Sequence, residues 1–394
     1  MKYIDKLLQG APVEWKTLGE VAEIKGGVRV TKKDLNPTYD YPVYSGGVTP
    51  MGYYQNFNQE ANTITVVKYG TAGFVNFITE RFWANDVCYC LKPKSLISNR
   101  FLLHLLKDRQ EYIYTQVIDA IPAHLPIDRL KSIPIPIPPL AVQEEVVRIL
   151  DTFTTLEAEL EAELDCRKRQ YEYYRDALLT FVPDSNDGLC HSPLIPTPFA
   201  VEWRPLSEIT TKVDKIKWGS ILMTEQYEYI DLSSIDIKTS QIIDTAVISS
   251  TNHPSRAQQI VKTNDILFGT TRPTLMRCYL IPQYYDNQIC STGYCVIRPD
   301  TSIVHPHLIY HVLSSSAFRV YVERFQEGEP YPSISDKLIL SYSIPIPPLA
   351  VQERIVEMLD KFDTLVHSIS EGLPREIALR RKQYEYYRDA LLTF

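Results

Sequence analysis

The stretch IPIPPLAVQE at residues 135–144 occurs a second time, without a single change, at residues 344–353. A second stretch, QYEYYRDALLTF, fills residues 170–181 and is repeated in the same way at residues 383–394. Both pairs occur in the same order, and each follows a longer segment that differs between the two occurrences. The chain is therefore an internal duplication of one module, a globular part followed by a helical part.

The helical parts begin after the proline pairs at 138–139 and 347–348. Proline lacks an amide hydrogen and restricts its neighbour, so these pairs end the extended segment before them. Apolar residues then recur at steps of three and four, which places them on one helix face. The stripe comprises Val146, Leu150, Phe153, Leu156, Leu160, Leu164, Tyr171, Tyr174 and Leu178 in the first repeat, and Val356, Leu359, Phe362, Val366, Ile369, Leu373, Ile377, Tyr384, Tyr387 and Leu391 in the second.

Two such helices are each other's obvious partners. About 40 residues at a rise of about 1.5 Å give a rod of about 60 Å, and a rod with one apolar face needs a second one to cover it. We expect two long antiparallel helices, a coiled coil, and a pseudo-two-fold relation between the repeats. Gly372 and Pro374 are expected to kink or interrupt the second helix.

The first helix contains a tandem four-residue repeat, LEAELEAEL at residues 156–164, with Leu156, Leu160 and Leu164 at its repeat positions. One reading is a solvated acidic helix face with a leucine seam. The second helical part is longer by four residues, 51 (344–394) against 47 (135–181). Four residues are about one helical turn, or about 6 Å of rod.

The globular parts predict an α+β fold with mainly antiparallel strands. In the first repeat, strands are expected at 64–67 and 87–91 and a helix at 99–114. The second repeat predicts the same order, with strands at 265–268 and 294–297 and a helix at 305–325. The predicted organisation is a first globular domain at 1–134, a helical spacer at 135–181, a linker at 182–199, a second globular domain at 200–343 and a second helical spacer at 344–394.

The contrast between identical helical stretches and divergent globular parts carries functional information. A recent duplication alone would leave every part equally similar. Selective identity suggests that both helical parts meet the same kind of partner. Selective divergence suggests that the two globular parts meet different targets.

Composition narrows the class of protein. The chain has 394 residues, a net charge of −7 and seven cysteines, an odd number with no CxxC pair. We expect buried, reduced thiols in a cytoplasmic protein, since there is neither a membrane-length apolar run nor a signal-peptide core. The negative net charge gives no indication of nucleic-acid binding, so evidence for it must come from local patterns.

Catalytic and metal-binding motifs are absent from the sequence. There is no phosphate-binding GxxxxGK[ST] loop, no HExxH and no GxSxG. His305 and His307, ahead of a predicted helix, are expected at the surface and not at a metal. We therefore predict neither catalytic residues nor a metal site; an enzyme with an unrecognised site stays the weaker alternative.

Cationic and hydroxyl side chains in glycine-containing or strand-following loops are candidates for nucleic-acid contact. Such groups suit phosphates, and arginine or lysine can also recognise guanine edges. The alternative is that each is an ordinary solvated loop. The candidates are Lys25, Arg29, Lys32, Lys33, Lys68, Tyr69 and Thr71 in the first repeat and Lys212, Lys215, Lys217, Thr271 and Arg272 in the second.

The alternation of two divergent globular domains with two nearly identical helical regions, each introduced by IPIPPLAVQ, resembles the specificity subunit of type I restriction–modification systems. The resemblance covers almost the whole chain and includes the DILF motif at 265–268 with Arg272 downstream. In the first repeat, TITVV at 63–67 replaces the DILF motif, which weakens the residue-level comparison there.

The resemblance implies a non-catalytic subunit with two target recognition domains, each reading half of a bipartite double-stranded DNA site. The helices would fix the length of the unread spacer, with Leu156, Leu160 and Leu164 as the ruler. They would also dock two adenine methyltransferase subunits, which bring S-adenosylmethionine. Restriction subunits using ATP and Mg are a further implied partner, and no cofactor is expected on this chain itself.

The repeated tyrosine-rich ends are candidate docking sites for the methyltransferase pair, through Tyr173, Arg175, Tyr386 and Arg388 on faces outside the apolar stripe. The alternative is that these ends cap the rods against the globular domains. For the whole chain, the alternative from a different class is a coiled-coil scaffold with two protein-binding modules and no DNA.

Overall fold

A computed structural model describes residues 3–183, 188–236, 241–368 and 370–394. The chain forms two compact units, which do not coincide with the two sequence repeats. Unit one comprises Met1–Ala158 with Leu379–Phe394, and unit two comprises Glu159–Ala378. Each unit thus combines one globular part, the start of its own helical part and the end of the other repeat's helical part.

The described residues of the first repeat form nine strands and end in a long helix. Its elements are α1 (Tyr3–Leu8), β1 (Glu14–Thr17), α2 (Leu18–Val21), β2 (Ala22–Gly26), β3 (Tyr41–Tyr44), β4 (Tyr53–Tyr54), β5 (Thr63–Val67), β6 (Val75–Ile78), β7 (Trp83–Ala84), β8 (Cys88–Pro93), α3 (Asn99–Asp108), α4 (Gln110–Thr115), α5 (Ile127–Lys131), β9 (Pro134–Ile137) and α6 (Leu140–Leu179).

The second part of the chain has the same general order of elements, and its helical part is broken. Its elements are β10 (Val182–Pro183), β11 (Cys190–Ser192), β12 (Ile195–Phe199), β13 (Glu202–Pro205), β14 (Thr210–Thr211), β15 (Gln226–Ile230), β16 (Ile235–Asp236), β17 (Gln241–Ile242), β18 (Ala246–Ser249), β19 (Ala257–Ile260), β20 (Ile266–Gly269), β21 (Cys278–Leu280), β22 (Ile289–Ser291), β23 (Tyr294–Pro299), α7 (Pro306–Leu313), α8 (Ser316–Phe325), α9 (Asp336–Leu340), β24 (Ser343–Ile346), α10 (Leu349–His367) and α11 (Leu373–Leu392).

The two globular parts share one sheet plan. Unit one has a four-stranded antiparallel sheet in the order β2-β8-β5-β6, and unit two has one in the order β14-β23-β20-β21. A second sheet in each contains one parallel pair, β3 with β7 and β15 with β22. The predicted α+β class and duplication are confirmed, although the sequences of the two globular parts barely align.

The antiparallel pairing of the helices is confirmed within each unit by equivalent aromatic contacts. In unit one, Phe153 of α6 stacks on Tyr387 of α11 with ring centroids 5.1 Å apart. In unit two, Phe362 of α10 stacks on Tyr174 of α6 at 5.2 Å. The predicted interruption in the second helical part is also present, since α10 ends at His367 and α11 begins at Leu373.

A buried glutamine in each identical stretch fastens the helix start to its globular part. Gln143 accepts a hydrogen bond from the Ser98 amide at 2.9 Å and donates to the carbonyls of Leu96 and Pro138. Gln352 accepts from the His305 amide at 2.7 Å and donates to two carbonyls in the same way. Both side chains are completely buried, so the network of bonds satisfies their polar atoms.

A histidine–aspartate pair makes a second contact between helix and globular part in each unit, about two turns further along α6 and α10. His104 contacts Asp151 at 2.7 Å, and His311 contacts Asp360 at 2.8 Å. Burial by itself would raise the pKa of Asp360, but hydrogen bonds from His307 and His311 outweigh it and hold that pKa well below its usual range. The pairs therefore place a charged carboxylate against a buried ring in both units.

Segment 182–199 differs from the predicted linker. In its described part, β10, β11 and β12 form an antiparallel sheet. Ile195 and Phe199 are buried in the core of unit two. The proline and serine content of the segment predicted a linker, but its apolar side chains pack into the core. The segment is therefore part of unit two.

The prediction of buried thiols holds for five of the seven cysteines and is wrong for Cys166, which is exposed, and Cys190, which is half-buried. Burial raises the pKa of Cys88 and of Cys90 to about 12, so these thiols stay protonated. No helix in the described part of the chain combines the length and apolar character needed to cross a membrane.

Candidate DNA interface

The candidate loops of unit one gather at one end of its four-stranded sheet. β2, β8 and β5 alternate in direction. The end of β2, the start of β8 and the end of β5 therefore lie at the same end of the sheet. Hydrogen bonds connect the loops there: Val30 to Asn85 at 3.1 Å, Asn85 to Tyr44 at 2.9 Å, and Thr71 to Gly46 at 2.9 Å. Arg29, Lys32 and Lys33 are exposed on the first of these loops.

Lys68, Tyr69 and Thr71 follow β5 at this end of the sheet. The Lys68 ammonium lies 5.1 Å from the centre of the Tyr69 ring, and the Thr71 hydroxyl donates to the Gly46 carbonyl at 3.1 Å. Gly70 between them has a φ of +90°, and a Cβ there would lie 2.4 Å from the Gly46 oxygen. Only glycine fits this turn. Lys25 stands apart, since it lies on β2 and pairs with Glu23 at 2.7 Å.

The equivalent loop of unit two follows β20. Thr271 bridges Ser333 as Tyr69 bridges His124, and the Ile334 amide bonds to Thr270 as the Leu125 amide bonds to Lys68. These contacts make Arg272 the counterpart of Gly70. The TITVV stretch and the DILF motif therefore occupy the same strand position, in agreement with the sequence comparison.

Arg272 stands in an unusual conformation for an arginine. Its φ is +48°, in the left-handed region that non-glycine residues seldom adopt, and its amide donates to the Pro332 carbonyl at 2.7 Å. The guanidinium is exposed and lies 4.9 Å from the centre of the Tyr331 ring, itself 65% exposed. A strained, exposed arginine held over an aromatic ring is suited to contact a nucleic acid.

The three lysines of unit two, Lys212, Lys215 and Lys217, are exposed. Their segment lies beside β19, where Lys215 pairs with Gln259, and they do not form one cluster. Burial raises the pKa of Asp336, and the positive charge of Lys215 opposes that rise. Asp336 opens α9 two residues after Ile334, whose amide bonds to Thr270. Sequence reasoning missed Tyr331, which carries no charge and no motif.

The first residue of the DILF motif has a structural role. Asp265 is 1% exposed and binds the Arg298 guanidinium, with 2.8 Å between Oδ2 and Nη2. It also accepts the Lys262 amide at 2.8 Å, and Arg298 donates to the Ile260 carbonyl at 2.9 Å. This buried pair fixes the start of β20, the strand that ends at the Arg272 loop.

The four docking candidates divide into two kinds. Tyr173 and Tyr386 are 66% and 69% exposed. Arg175 is 7% exposed and lies over the Tyr171 ring, so its placement on an outer face was wrong. Arg388 pairs with Asp108 at 3.2 Å and with Asp389 at 2.8 Å. The contact of Arg388 with Asp108 of α3 supports the capping alternative, whereas Arg175 contacts Tyr171 and Asp176 of its own helix α6.

The three ruler leucines do not form one buried seam. Leu164 packs against the core of unit two, Leu160 is half-buried, and Leu156 is 37% exposed. The rest of the stripe packs as predicted: Leu150, Leu178, Leu359 and Leu391 are buried, and Ile369 lies outside the described residues.

The two histidines expected at the surface are half-buried, contrary to the prediction. His305 caps α7 by accepting the His307 amide, and the His307 ring pairs with Asp360 at 2.8 Å. Among the described residues, no group of three or more histidine, cysteine, aspartate or glutamate side chains could hold a metal ion.

Comparison with known proteins agrees with this architecture. Residues 12–165 and 209–379 match the family model of the type I restriction modification DNA specificity domain. The specificity subunit of the Escherichia coli type I restriction enzyme EcoR124I/EcoR124II is 33% identical over 100% of this chain and 97% of its own length. A putative type I specificity subunit of Haemophilus influenzae is 31% identical over 100% of this chain and 98% of its own.

A crystal structure of the type I restriction–modification S subunit from M. genitalium has the same fold, with a TM-score of 0.61 and 18% identity over 97% of this chain and 96% of that one. Fold and family together define a DNA-specificity protein of a restriction–modification system. The chain belongs to the family of type I specificity subunits. It is therefore a non-catalytic DNA-recognition subunit with two recognition domains, part of an assembly with modification and restriction subunits, and the scaffold without DNA is not favoured.

Proposed function

We propose that the chain reads an asymmetric, bipartite DNA target, one half with each globular part. One observation carries this proposal. The loops after β5 and β20 hold equivalent positions but present Lys68, Tyr69 and Gly70 in one unit and Thr270, Thr271 and Arg272 in the other. Different donors on equivalent scaffolds select different base edges.

The proposed assembly contains two adenine methyltransferase subunits, one for each repeat, because the repeated stretches offer the same groups twice. In this proposal S-adenosylmethionine belongs to those subunits, and ATP and Mg to restriction subunits. This chain binds none of the three itself. An assembly that modifies the cell's own DNA acts in the cytoplasm.

Methylation mapping of DNA from cells that contain the system tests the asymmetric target. We expect two different half-sites separated by an unread spacer. Replacing residues 200–343 with the corresponding segment of a relative should change one half and leave the other half as it was. A palindromic target, or a change in both halves after the exchange, would contradict the proposal.

The Arg272 guanidinium is expected to contact a base or a phosphate of the half-site read by unit two. The substitution Arg272→Gly removes it and gives the backbone the residue that stands at the equivalent position 70, so the fold should not suffer. Affinity for the mapped target should fall by about 1–3 kcal/mol, or about 5- to 150-fold, in a binding titration at fixed salt.

A matched variant tells a base contact from a phosphate contact. Arg272→Lys keeps the charge and loses the planar fork, so it should keep most of the affinity at a phosphate and only part of it at a guanine, where the bidentate geometry is lost. Unchanged affinity in Arg272→Gly would remove Arg272 from the interface.

The exposed tyrosines, and not the arginines, are now the expected docking residues of the repeated ends. We expect Tyr173→Ala and Tyr386→Ala together to weaken methyltransferase binding about tenfold or more, because exposed aromatic side chains are frequent anchors of protein interfaces. Isothermal titration with the purified methyltransferase measures this. Glu172→Ala with Glu385→Ala, on the same helical turns, is the control; equal effects of the two double variants would count against the tyrosines.

A further inference from the structure

Each repeat exposes a tryptophan at the same place. Trp15 faces Pro136 in the β1–β9 ladder, and Trp203 faces Pro345 in the β13–β24 ladder. Trp15 is 53% exposed and Trp203 is 59% exposed, which is unusual for tryptophan, the largest aromatic residue. What surrounds them differs between the two units.

In unit one an arginine of the chain itself fills the space beside the tryptophan. Arg109 lies at the junction of α3 and α4, and its guanidinium is 5.5 Å from the centre of the Trp15 ring. The same guanidinium donates a hydrogen bond to the Pro134 carbonyl. Arg109 thus combines a cation–π contact with a backbone acceptor.

In unit two the corresponding helix junction, between α7 and α8, carries three consecutive serines, Ser314, Ser315 and Ser316. None of these serines can supply a guanidinium, Arg175 on α6 is paired with Asp176 at 3.3 Å, and a cavity of 270 Å³ lies beside Trp203. Leu179, Val312, Ala317 and Pro345 are among its apolar lining, and Asp176 contributes a carboxylate. The cavity lies where unit one holds its guanidinium.

The backbone acceptor is present in unit two as well. Ser343 corresponds to Pro134, since Ser343 faces Pro205 as Pro134 faces Thr17. The Leu206 amide bonds to the Tyr342 carbonyl, so the next pair, Pro205 with Ser343, is a non-hydrogen-bonded pair. The Ser343 carbonyl therefore points away from β13. In the same way, the Pro134 carbonyl points away from β1, towards Arg109.

We propose that the cavity beside Trp203 receives an arginine side chain from the methyltransferase subunit that docks on unit two. The proposal rests on the proposed function, because Asp176, Leu179 and Pro345 belong to the repeated stretches assigned to methyltransferase docking. The indole face and the Asp176 carboxylate, which Arg175 and the Ser316 amide contact through one oxygen only, complement a guanidinium. The Ser343 carbonyl follows the lining residue Tyr342, and the apolar walls cover the methylene stem.

One consequence is that the two methyltransferase subunits bind non-equivalently. In unit one the site is already filled by Arg109, so the neighbouring subunit cannot insert its own arginine. In unit two the incoming arginine takes that place. Two identical subunits therefore bind one chain in two steps of different strength.

The site is tested first on the isolated chain. The four tryptophans are labelled with 5-fluorotryptophan, and their ¹⁹F resonances are assigned by single Trp→Phe variants. Titration with N-acetylarginine amide should shift the Trp203 resonance and leave that of Trp15 unmoved. N-acetyl-leucine amide at the same concentration should shift neither.

Two variants reverse the pattern. Ala317→Arg places a guanidinium in the cavity from within the chain and should abolish the Trp203 response. Arg109→Ser empties the place beside Trp15 and should make that resonance respond to the arginine probe. A Trp203 resonance that ignores N-acetylarginine amide, or follows the leucine amide equally, would overturn the arginine site.

The partner is tested by native mass spectrometry of the wild-type and Ala317→Arg chains with purified methyltransferase. We expect one of the two binding steps to weaken about tenfold in the variant and the other to stay unchanged. Two unchanged steps, with an intact probe response in the wild type, would exclude the methyltransferase as the source of the arginine. Failure of the wild-type chain to bind any methyltransferase would contradict the proposed function itself.

Discussion

Inserting one more Leu-Glu-Ala-Glu unit after Glu163 is expected to lengthen the unread DNA spacer and leave both half-sites unchanged. Residues 140–179 form one continuous helix, α6, so four added residues continue it. They lengthen the rod by about 6 Å and turn it by about 40° beyond a full turn. Since a base pair is about 3.4 Å long, the geometric change is between one and two base pairs, and family resemblance favours one.

Insertions of two or three residues at the same place are the matched comparison. They rotate everything beyond them by about 200° or 300°. Phe153 and Tyr174, which stand before and after the insertion, would then no longer share one face of α6, so the apolar stripe that meets α11 and α10 would be out of register. We expect methylation to be lost with these insertions.

Methylation mapping of strains that carry each insertion measures the spacer directly. The exposure of Leu156 means that the repeated unit can be added without enlarging a continuous core, which favours tolerance of the four-residue insertion. An active enzyme whose spacer had not changed would show that α6 is a strut and not a ruler.

The position and pairing of the helical parts could be predicted, because their pattern repeats and because proline and glycine mark their limits. The stripe predicted the antiparallel pairing that Phe153 with Tyr387 and Phe362 with Tyr174 now confirm. The break at Gly372 was predictable for the same reason. Burial of the individual stripe positions was less predictable, because it depends on what the neighbouring elements cover.

Arg175 and Leu156 show the limit of periodicity. Arg175 was placed outside because it is charged, yet its side chain covers the Tyr171 ring and is buried. Leu156 belongs to the stripe and is nevertheless exposed. A helical pattern gives a direction for each side chain, but the extent of the surface that meets it is a property of the tertiary structure.

The sequence aligned TITVV with the DILF motif, but it did not show that the loops after β5 and β20 share one geometry. Gly70 and Arg272 have no identical neighbours in sequence, and the bridges of the residues before them to His124 and Ser333, about 50–60 residues later in the chain, make them counterparts. Both residues have a positive φ. Glycine adopts this conformation readily, but an arginine in the sequence gives no indication of it. Contacts between distant segments, and not local patterns, define this part of the candidate site.

Asp265→Ala is expected to lower the free energy of unfolding of unit two by about 3–5 kcal/mol. The carboxylate is 1% exposed, and its loss leaves the Arg298 side chain, 13% exposed, without its main counter-ion. The Lys262 amide loses its acceptor as well. Because the chain has two units, thermal unfolding should show one transition moved to lower temperature and one that stays in place.

Asp214→Ala is the matched control, since Asp214 contacts the same Arg298 at 3.3 Å with a side chain that is 63% exposed. An exposed partner contributes about 0–1 kcal/mol, so this variant should behave almost like the wild type. Below its unfolding transition, Asp265→Ala should still bind the mapped target normally, because Asp265 shapes β20 and does not face the DNA. Equal stability of the two variants, with lost binding in Asp265→Ala, would instead make the first residue of the motif a recognition residue.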